Sequence, residues 1–393
     1  MKLRTIQSAP IKRGARVILR ADFDVAMKNG RVVEDFRIKA NISTIRYLLK
    51  KGAHIRIIAH LGRPHGKIDM KFSLRPVARR LSALLKKKII FVSDPFRGDS
   101  FEKYDTTSDM VMFENLRFWR GEERNDVKFA RALAQWGDVY INEAFANVHR
   151  AHASMVALTR ILPSFAGFVL AKEIFYLGQA LKSVSRPLAV LVGGAKLETK
   201  LPVIREFLKR NARVLVGTAL SNTFFLAQGM QIGRSVVDRT LVPMALQLLK
   251  NRQNLFLPVD IRMIRGSGKF QQTLVVGHNM KKDQCITDIG PKTVRGFSTT
   301  LKSAKTIVWS GTVGVAEQFP QGTRALAETI RRSHAMKIVG GGDTIAFLHR
   351  HKLLHGFTHV STGGGAMLEF LAGKKLPGIE ALKKSKIKNQ NGK

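Results

Sequence analysis

Residues 189–200 read AVLVGGAKLETK, and this stretch constrains the chain more than any other. Four apolar residues run straight into Gly193 and Gly194, and helix-compatible sequence follows at once. An unbroken apolar run is the mark of a strand buried on both faces, as in parallel sheets covered by helices. Open α/β sheets hold their ligands at the carboxyl ends of such strands. Glycines there let an anion approach the backbone, and the N–H groups opening the next helix face it. Lys196 and Lys200 are four residues apart, so on a helix both ammonium groups share one face. The stretch reads as an anion site or, more plainly, as a tight turn flanked by solvated lysines.

The same rhythm runs through the whole chain. Apolar runs at 15–25, 54–60, 88–93, 110–114 and 139–144 read as strands. Helical periodicity falls at Ile38, Ile42, Ile45 and Leu49, and over 74–85 and 126–136. Strands are expected again at 213–216 and 254–259, with a long helical stretch between them. Three further runs end in glycine: 306–309 before Ser310-Gly311, 337–339 before Gly340-Gly341-Gly342-Asp343, and 359–362 before Gly363-Gly364-Gly365. A chain of 393 residues is too long for one ordinary core. The expected fold is α/β, with two doubly wound, Rossmann-like parallel-sheet domains joined by a helical hinge and a cleft between them. The expected divisions are 1–170, a connecting helix at 171–181, 182–370, and a C-terminal segment at 371–393 whose lysine-rich end frays.

Composition narrows the class. Hydrophobic residues make up 45%, enough for packed cores. Met1–Arg4 is basic with no apolar segment after it, so no secretory signal is expected, and no run approaches the about 18 apolar residues of a membrane span. Cys285 is the only cysteine, which excludes an internal disulfide and a cysteine metal cage. A cytoplasmic protein without membrane association is expected. The 67 Lys and Arg against 28 Asp and Glu leave a net charge of +39, which attracts polyanions of every kind. The basic residues are spread over helix faces without interleaved aromatics, so any nucleic-acid binding is expected to be non-specific.

The two halves decorate their loops differently. The first carries Asp22, Asp24, Arg37, His60, Arg63, Arg117 and Arg150 at strand or helix ends. Several arginines at separate loop ends suit a small, multiply charged molecule, because each guanidinium fork meets a carboxylate or phosphate with two hydrogen bonds. The second half offers glycine loops at helix starts, the device for nucleotide phosphates. Asp343 could hold Mg²⁺ there or serve as a plain helix N-cap. The spacing of a P-loop is absent, no Ser/His/Asp or Cys/His nucleophile arrangement stands out, and the histidines lack the spacing of a zinc site. An anion pocket in one half and a phosphate site in the other suggest phosphoryl transfer, in which the protein positions groups and neutralises charge.

These residues resemble one family closely, phosphoglycerate kinase. The matching stretches are RADFDV (20–25), DFRIKA (35–40), HLGRP (60–64), ENLRF (114–118) and NEAFANVHRAHAS (142–154). They continue with GGAKLETK (193–200), 257–260, 288–293, GGGDT (340–344), STGGGAMLEF (361–370) and 376–382, in order and at family spacing. The resemblance implies reversible, Mg²⁺-dependent transfer of phosphate between ATP and 3-phosphoglycerate, giving ADP and 1,3-bisphosphoglycerate. It implies that the first domain binds phosphoglycerate through Asp22, Phe23, Asp24, Arg37, His60, Leu61, Gly62, Arg63, Arg117 and Arg150. Arg37, Lys196, Lys200, Gly342, Gly364 and Gly365 would stabilise the moving phosphoryl group. Lys200, Gly217, Glu317, Gly341, Gly342, Asp343 and Thr344 would bind nucleotide, with Asp343 on the metal and Glu317 on the ribose. It also implies a monomer whose C-terminal segment packs on the first domain and whose hinge closes the cleft.

The chain departs from the family pattern at defined positions. Asp24 stands where Asn is usual, Ser310 and Thr312 replace Asn and Pro, and Thr218-Ala219 interrupt a triple glycine. The loop of Glu317 is slightly shorter than usual, and RMIRG (262–266) replaces a segment resembling ADK. Most departures fall on the nucleotide side, so a weakened or altered nucleotide site with retained catalysis is expected. The alternatives to an active enzyme are a non-catalytic binding or moonlighting relative and a nucleic-acid binder acting through the basic surface.

Overall fold

The computed structural model describes residues 3–98, 109–182, 186–195, 197–250, 252–266, 268, 272–277 and 280–385. The chain divides into two compact units, one formed by 1–174 with the residues from 375 on, the other by 175–374.

In the first unit six parallel strands lie in the order Ile90–Val92, Met110–Phe113, His54–Ile58, Arg16–Arg20, Val139–Asn142, Ser164–Ala166. The chain builds outward from Arg16–Arg20 on one side, then crosses to its other side with Val139–Asn142, so the strand order reverses beside the central strand. Helix Phe36–Lys50 buries Ile38, Asn41, Ile45 and Leu48, a three-and-four spacing that lays one stripe on the sheet. Helix Arg75–Leu85 adds Val77 and Leu81 to the same core. Its proline at the start and the left-handed Lys86 at its end mark where it begins and stops. Asp126 caps helix Val127–Ala134 by accepting from the N–H groups of Lys128 and Phe129. The run at 15–25, expected as one strand, leaves the sheet after Arg20, and this frees Asp22 and Asp24 from strand pairing. The strand Ser164–Ala166 has three residues, too few to carry a period.

The second unit repeats the plan. Its parallel order is Leu255–Phe256, Arg213–Val216, Leu188–Val192, Thr306–Ser310, Met336–Gly340, His359–Ser361, with the reversal between Leu188–Val192 and Thr306–Ser310. The two six-stranded parallel sheets with their helices are the α/β architecture expected from the alternation. A three-stranded antiparallel sheet, Gln272–Val275, Asp260–Arg265 and Gln284–Ile289, was not foreseen. The expected strand at 254–259 is instead the short Leu255–Phe256, and Asp260–Arg265 starts a separate ladder beyond Pro258. Ile261, Met263 and Ile286 of that ladder bury with Phe225, Ile232 and Met280 in a small second core.

The boundary between the units falls within helix Phe168–Lys182, which begins three residues earlier than the expected 171. Glu143, just beyond strand Val139–Asn142, explains the early start. Its Oε2 accepts from Leu170 N at 3.0 Å, and the Thr44 hydroxyl of helix Phe36–Lys50 donates to Oε1. Burial pushes this fully enclosed carboxyl up to about 7, against the pull of Thr44 and the helix N–H groups.

Glu143 therefore makes stability depend on pH with a defined sign. Its ordinary value is 4.5, so from there to about 7 the folded state holds a proton that the unfolded chain releases. The contribution is complete below pH 4.5 and is lost as pH rises through about 7. At one pKa unit per 1.36 kcal/mol, the effect is about 3 kcal/mol. Denaturation between about pH 5 and pH 8 should show this component in the native protein and its disappearance in Glu143→Gln, whatever the variant's overall loss. Equal pH slopes in the two proteins would rule it out.

Candidate functional site

In the first unit the functional side chains gather at the carboxyl ends of the strands. Asp22 and Asp24 follow Arg16–Arg20, His60 to Arg63 follow His54–Ile58, Arg117 follows Met110–Phe113, and Arg150 follows Val139–Asn142. Arg37, in the first turn of helix Phe36–Lys50, donates to the Asp24 carbonyl at 2.9 Å and lies 3.4 Å from Asp22 Oδ1. Asp24 Oδ1 accepts from Gly62 N at 2.9 Å, joining two loops. Arg117 donates to the Gly62 carbonyl at 2.7 Å and to Asn147 Oδ1 at 3.1 Å. Arg150 is exposed and meets His149 Nε2 at 3.1 Å, and Arg63 is exposed on its loop. Phe23 and Leu61 are buried in the core, so their side chains anchor the loops that carry Asp22, Asp24 and His60.

The charges in this cluster are close enough to shift one another. Burial raises the Asp22 carboxyl, opposed by Arg37 and reinforced by Asp24. Asp22 Oδ2 is buried and has no hydrogen-bond partner among the described residues, which leaves an acceptor waiting for a donor. His60 is pushed well below its ordinary value by burial and by the cations of Arg117 and Arg20, so its ring is neutral. Burial and then Arg20 bring Arg117 down to about 10. Arg20, Glu122, Ser154 and Asn147 were missed in the sequence. Arg20 alone left a signal, as a charged residue closing the apolar run RVILR.

In the second unit the glycine loops meet where the strand order reverses. Gly193 N donates to the Ser310 carbonyl at 2.9 Å and Gly194 N to the Thr312 carbonyl at 2.8 Å. A Cβ on Gly193 would strike the Thr312 carbonyl, and one on Gly311, at φ +94°, would strike the Gly193 carbonyl and Lys200 Nζ. Lys200, buried on helix Leu197–Lys209, donates to the Gly193 carbonyl and lies 3.4 Å from the Ser310 carbonyl. Thr344 Oγ1 accepts from Gly311 N at 2.8 Å, tying the loop before helix Gly342–Arg350 to the same point. Lys196 lies outside the described residues.

The departures from the family pattern turn inward. Thr218 donates its hydroxyl to the Val313 carbonyl at 3.0 Å, and Thr312 donates to the Gly314 carbonyl at 3.0 Å. Gly217 caps helix Thr218–Ala227, Gly341 caps Gly342–Arg350 and Gly364 caps Gly365–Leu371. Asp343 is exposed in the first turn of its helix, and since Gly341 is the N-cap, the capping role left open for Asp343 is not filled. Glu317 is exposed, with its carboxylate 3.7 Å from Arg350. Among the described residues no group of three or more His, Cys, Asp or Glu could hold a metal ion. A lone exposed carboxylate does suit Mg²⁺, which keeps its waters and binds chiefly through substrate phosphates.

The chain matches the family described as phosphoglycerate kinase over residues 8–374. It is 41% identical over 394 residues to the phosphoglycerate kinase of Pelotomaculum thermopropionicum, covering 97% of this chain and 99% of that protein. It is 38% identical over 395 residues to that of Borrelia garinii, covering 98% and 100%. The solved phosphoglycerate kinase of Coxiella burnetii superposes with a TM-score of 0.86 at 35% identity over 98% of this chain and all of that one, 100%. That of Pyrococcus horikoshii gives 0.87 at 31% identity over 97% and 98%.

The contact between the glycine loops predicts the effect of widening it. Gly311→Ala should destabilise the protein by about 1–3 kcal/mol, as overpacked backbone contacts do, and should weaken ATP binding. Chemical denaturation and ATP titration check both effects. Wild-type values for stability and affinity would show that the close approach is not required.

Proposed function

Because the chain belongs to the phosphoglycerate kinase family, we propose that its two units divide the work of that family's reaction. The activity is glycolytic phosphoryl transfer, ATP and 3-phosphoglycerate exchanging with ADP and 1,3-bisphosphoglycerate. In the direction of ATP use, a carboxylate oxygen of 3-phosphoglycerate forms a bond to the γ-phosphorus and the bond to the ADP oxygen breaks. No proton has to move, so the protein's task is positioning and charge neutralisation.

The first unit takes the phosphoglycerate. The observation that carries this assignment is the unpartnered Asp22 Oδ2 beside Arg37, with His60, Arg63, Arg117 and Arg150 on neighbouring loops. One acceptor for a hydroxyl and several cations for a carboxylate and a phosphate match the groups of that substrate. Arg37 neutralises the transferring group. Asp24 serves through the oxygen that accepts from Gly62 N, a task an amide oxygen performs equally well.

The second unit takes the nucleotide. Lys196 and Lys200 neutralise the nucleotide phosphates, the backbone at Gly341, Gly342 and Thr344 binds them, and Gly364 and Gly365 support the moving phosphoryl group. Gly217 and Glu317 belong to the base and ribose side. Asp343 holds Mg²⁺, which neutralises phosphate charge when bound. The units act as one cytoplasmic monomer, with residues 171–181 in the connecting helix and the chain from 375 grouped with the first unit. Among the described residues no helix is long and apolar enough to cross a membrane.

A coupled assay of ATP and 3-phosphoglycerate turnover with Mg²⁺ varied tests the whole assignment, and Mg²⁺-dependent turnover is expected. Arg37→Ala should lower kcat about a hundredfold or more with the fold retained, and near-normal turnover would remove Arg37 from the transferring phosphate. Asp24→Asn should leave the KM for 3-phosphoglycerate unchanged or lower it. A large rise would show that the carboxylate itself is adapted to this pocket.

A further inference from the structure

Arg20 is fully buried at the end of the central strand Arg16–Arg20, and all of its guanidinium nitrogens have partners. Nη1 donates to the Ala21 carbonyl at 2.7 Å, Nε donates to Ser154 Oγ at 2.9 Å, and Nη2 lies 3.0 Å from His60 Nδ1. Ser154 Oγ donates to Glu122 Oε1 at 2.6 Å, while Ser154 N donates to Glu122 Oε2 at 2.9 Å. The Tyr140 hydroxyl donates to the Ser154 carbonyl at 2.6 Å, which fixes the serine from the sheet side. Glu122 is fully buried, so the chain Arg20–Ser154–Glu122 is an enclosed ion pair bridged by one hydroxyl.

A guanidinium can only donate, so its contact to His60 Nδ1 makes that nitrogen the acceptor. In a neutral ring the single proton is then on Nε2. That nitrogen faces the Asp24 side of the site, 3.9 Å from Asp24 Oδ2. We propose that Arg20, held by Ser154 and Glu122, is a positioning residue that locks His60 in the Nε2–H tautomer and aims that proton at an oxygen of the bound phosphoglycerate. Arg20 does this without touching substrate. The ion pair with Glu122 balances its charge, and the fork geometry lets one side chain orient the serine and the histidine together, which a lysine cannot do. The surroundings of His60 favour the neutral ring: burial opposes a second proton, and the cations of Arg117, Arg20 and Arg37 reinforce it. The inference rests on the assignment of His60 to the phosphoglycerate site.

The test begins on the wild-type protein. Nitrogen-15 NMR of the histidine rings, with His60 assigned by its loss in His60→Gln, should show Nε2 protonated and Nδ1 bare at neutral pH. A proton on Nδ1, a mixture of tautomers or a doubly protonated ring overturns the proposal without any variant having to fold. The double variant Arg20→Met/Glu122→Gln removes both buried charges together, so neither is left unpaired. It should release the tautomer and raise the KM for 3-phosphoglycerate about tenfold, the loss of one well-placed hydrogen bond, with the KM for ATP within about twofold. Ser154→Ala, which cuts the link and keeps both charges, should shift the two readouts the same way to a smaller extent. A released tautomer with an unchanged KM for 3-phosphoglycerate would overturn the positioning role by showing that His60 does not meet the substrate. The tautomer and the affinity therefore fail separately.

Discussion

The second unit depends on the backbone contact between Gly193 and Gly311. It continues the ladder of Leu188–Val192 and Thr306–Ser310 past its last paired residues, Val192 and Ser310, into the loops beyond. Ladders normally end where strands diverge, and the carbonyls left there need other donors. Lys200 supplies one at the Gly193 carbonyl, and Thr344 takes the N–H of Gly311. Three loops from three strands are thus fixed by one place where two chains run without side chains between them. Backbone dipoles held this way cost no reorganisation when a charged ligand arrives, which is the condition for electrostatic stabilisation of a transferring phosphoryl group.

The first unit has the opposite problem, since it must hold several cations together with little water. Arg20, Arg37 and Arg117 are each given a partner within the fold. Arg37 lies beside Asp22, Arg20 reaches Glu122 through Ser154, and Arg117 rests on the Gly62 carbonyl and Asn147 with Glu123 at 3.7 Å. Burial first, and then the neighbouring arginines, lowers Arg117 and keeps His60 and His152 neutral. An anion entering the site relieves mutual repulsion among cations already in place. Part of its affinity is therefore set by the empty protein, and not only by contacts made on binding.

The sequence disclosed what repeats and hid what depends on long-range packing. The apolar runs placed eleven of the twelve strands of the two parallel sheets, all but Ser164–Ala166, because a strand buried on both faces has no polar alternation to blur it. The antiparallel ladder through Asp260–Arg265 stayed hidden because its buried positions are interrupted by Arg262 and by half-exposed neighbours. Aspartates, arginines and histidines at strand ends were legible as a site because function leaves polar residues where packing does not need them. Glu122, Ser154 and Glu143 were not legible, since each acts on a residue far away in sequence: Arg20 lies 134 positions from Ser154, and Thr44 lies 99 from Glu143. Local pattern carries no trace of such pairs.

This asymmetry bears on the departures from the family pattern. On the nucleotide side the expected contacts are mostly backbone N–H groups and glycine surfaces, so a substituted side chain matters only if it intrudes. Thr218 and Thr312 do not intrude, because their hydroxyls are taken up by the carbonyls of Val313 and Gly314 within the same loops. They stiffen the frame that presents the backbone. On the proposed phosphoglycerate side the expected contacts are side chains, each with a fixed number of donors and acceptors, and a change of type changes the chemistry offered. Asp24 is the one such change there, and the oxygen it spends on Gly62 N is the one an asparagine would spend as well. A site that recognises through backbone tolerates drift in its side chains, while one that recognises through side chains tolerates it only where the hydrogen-bonding role is kept.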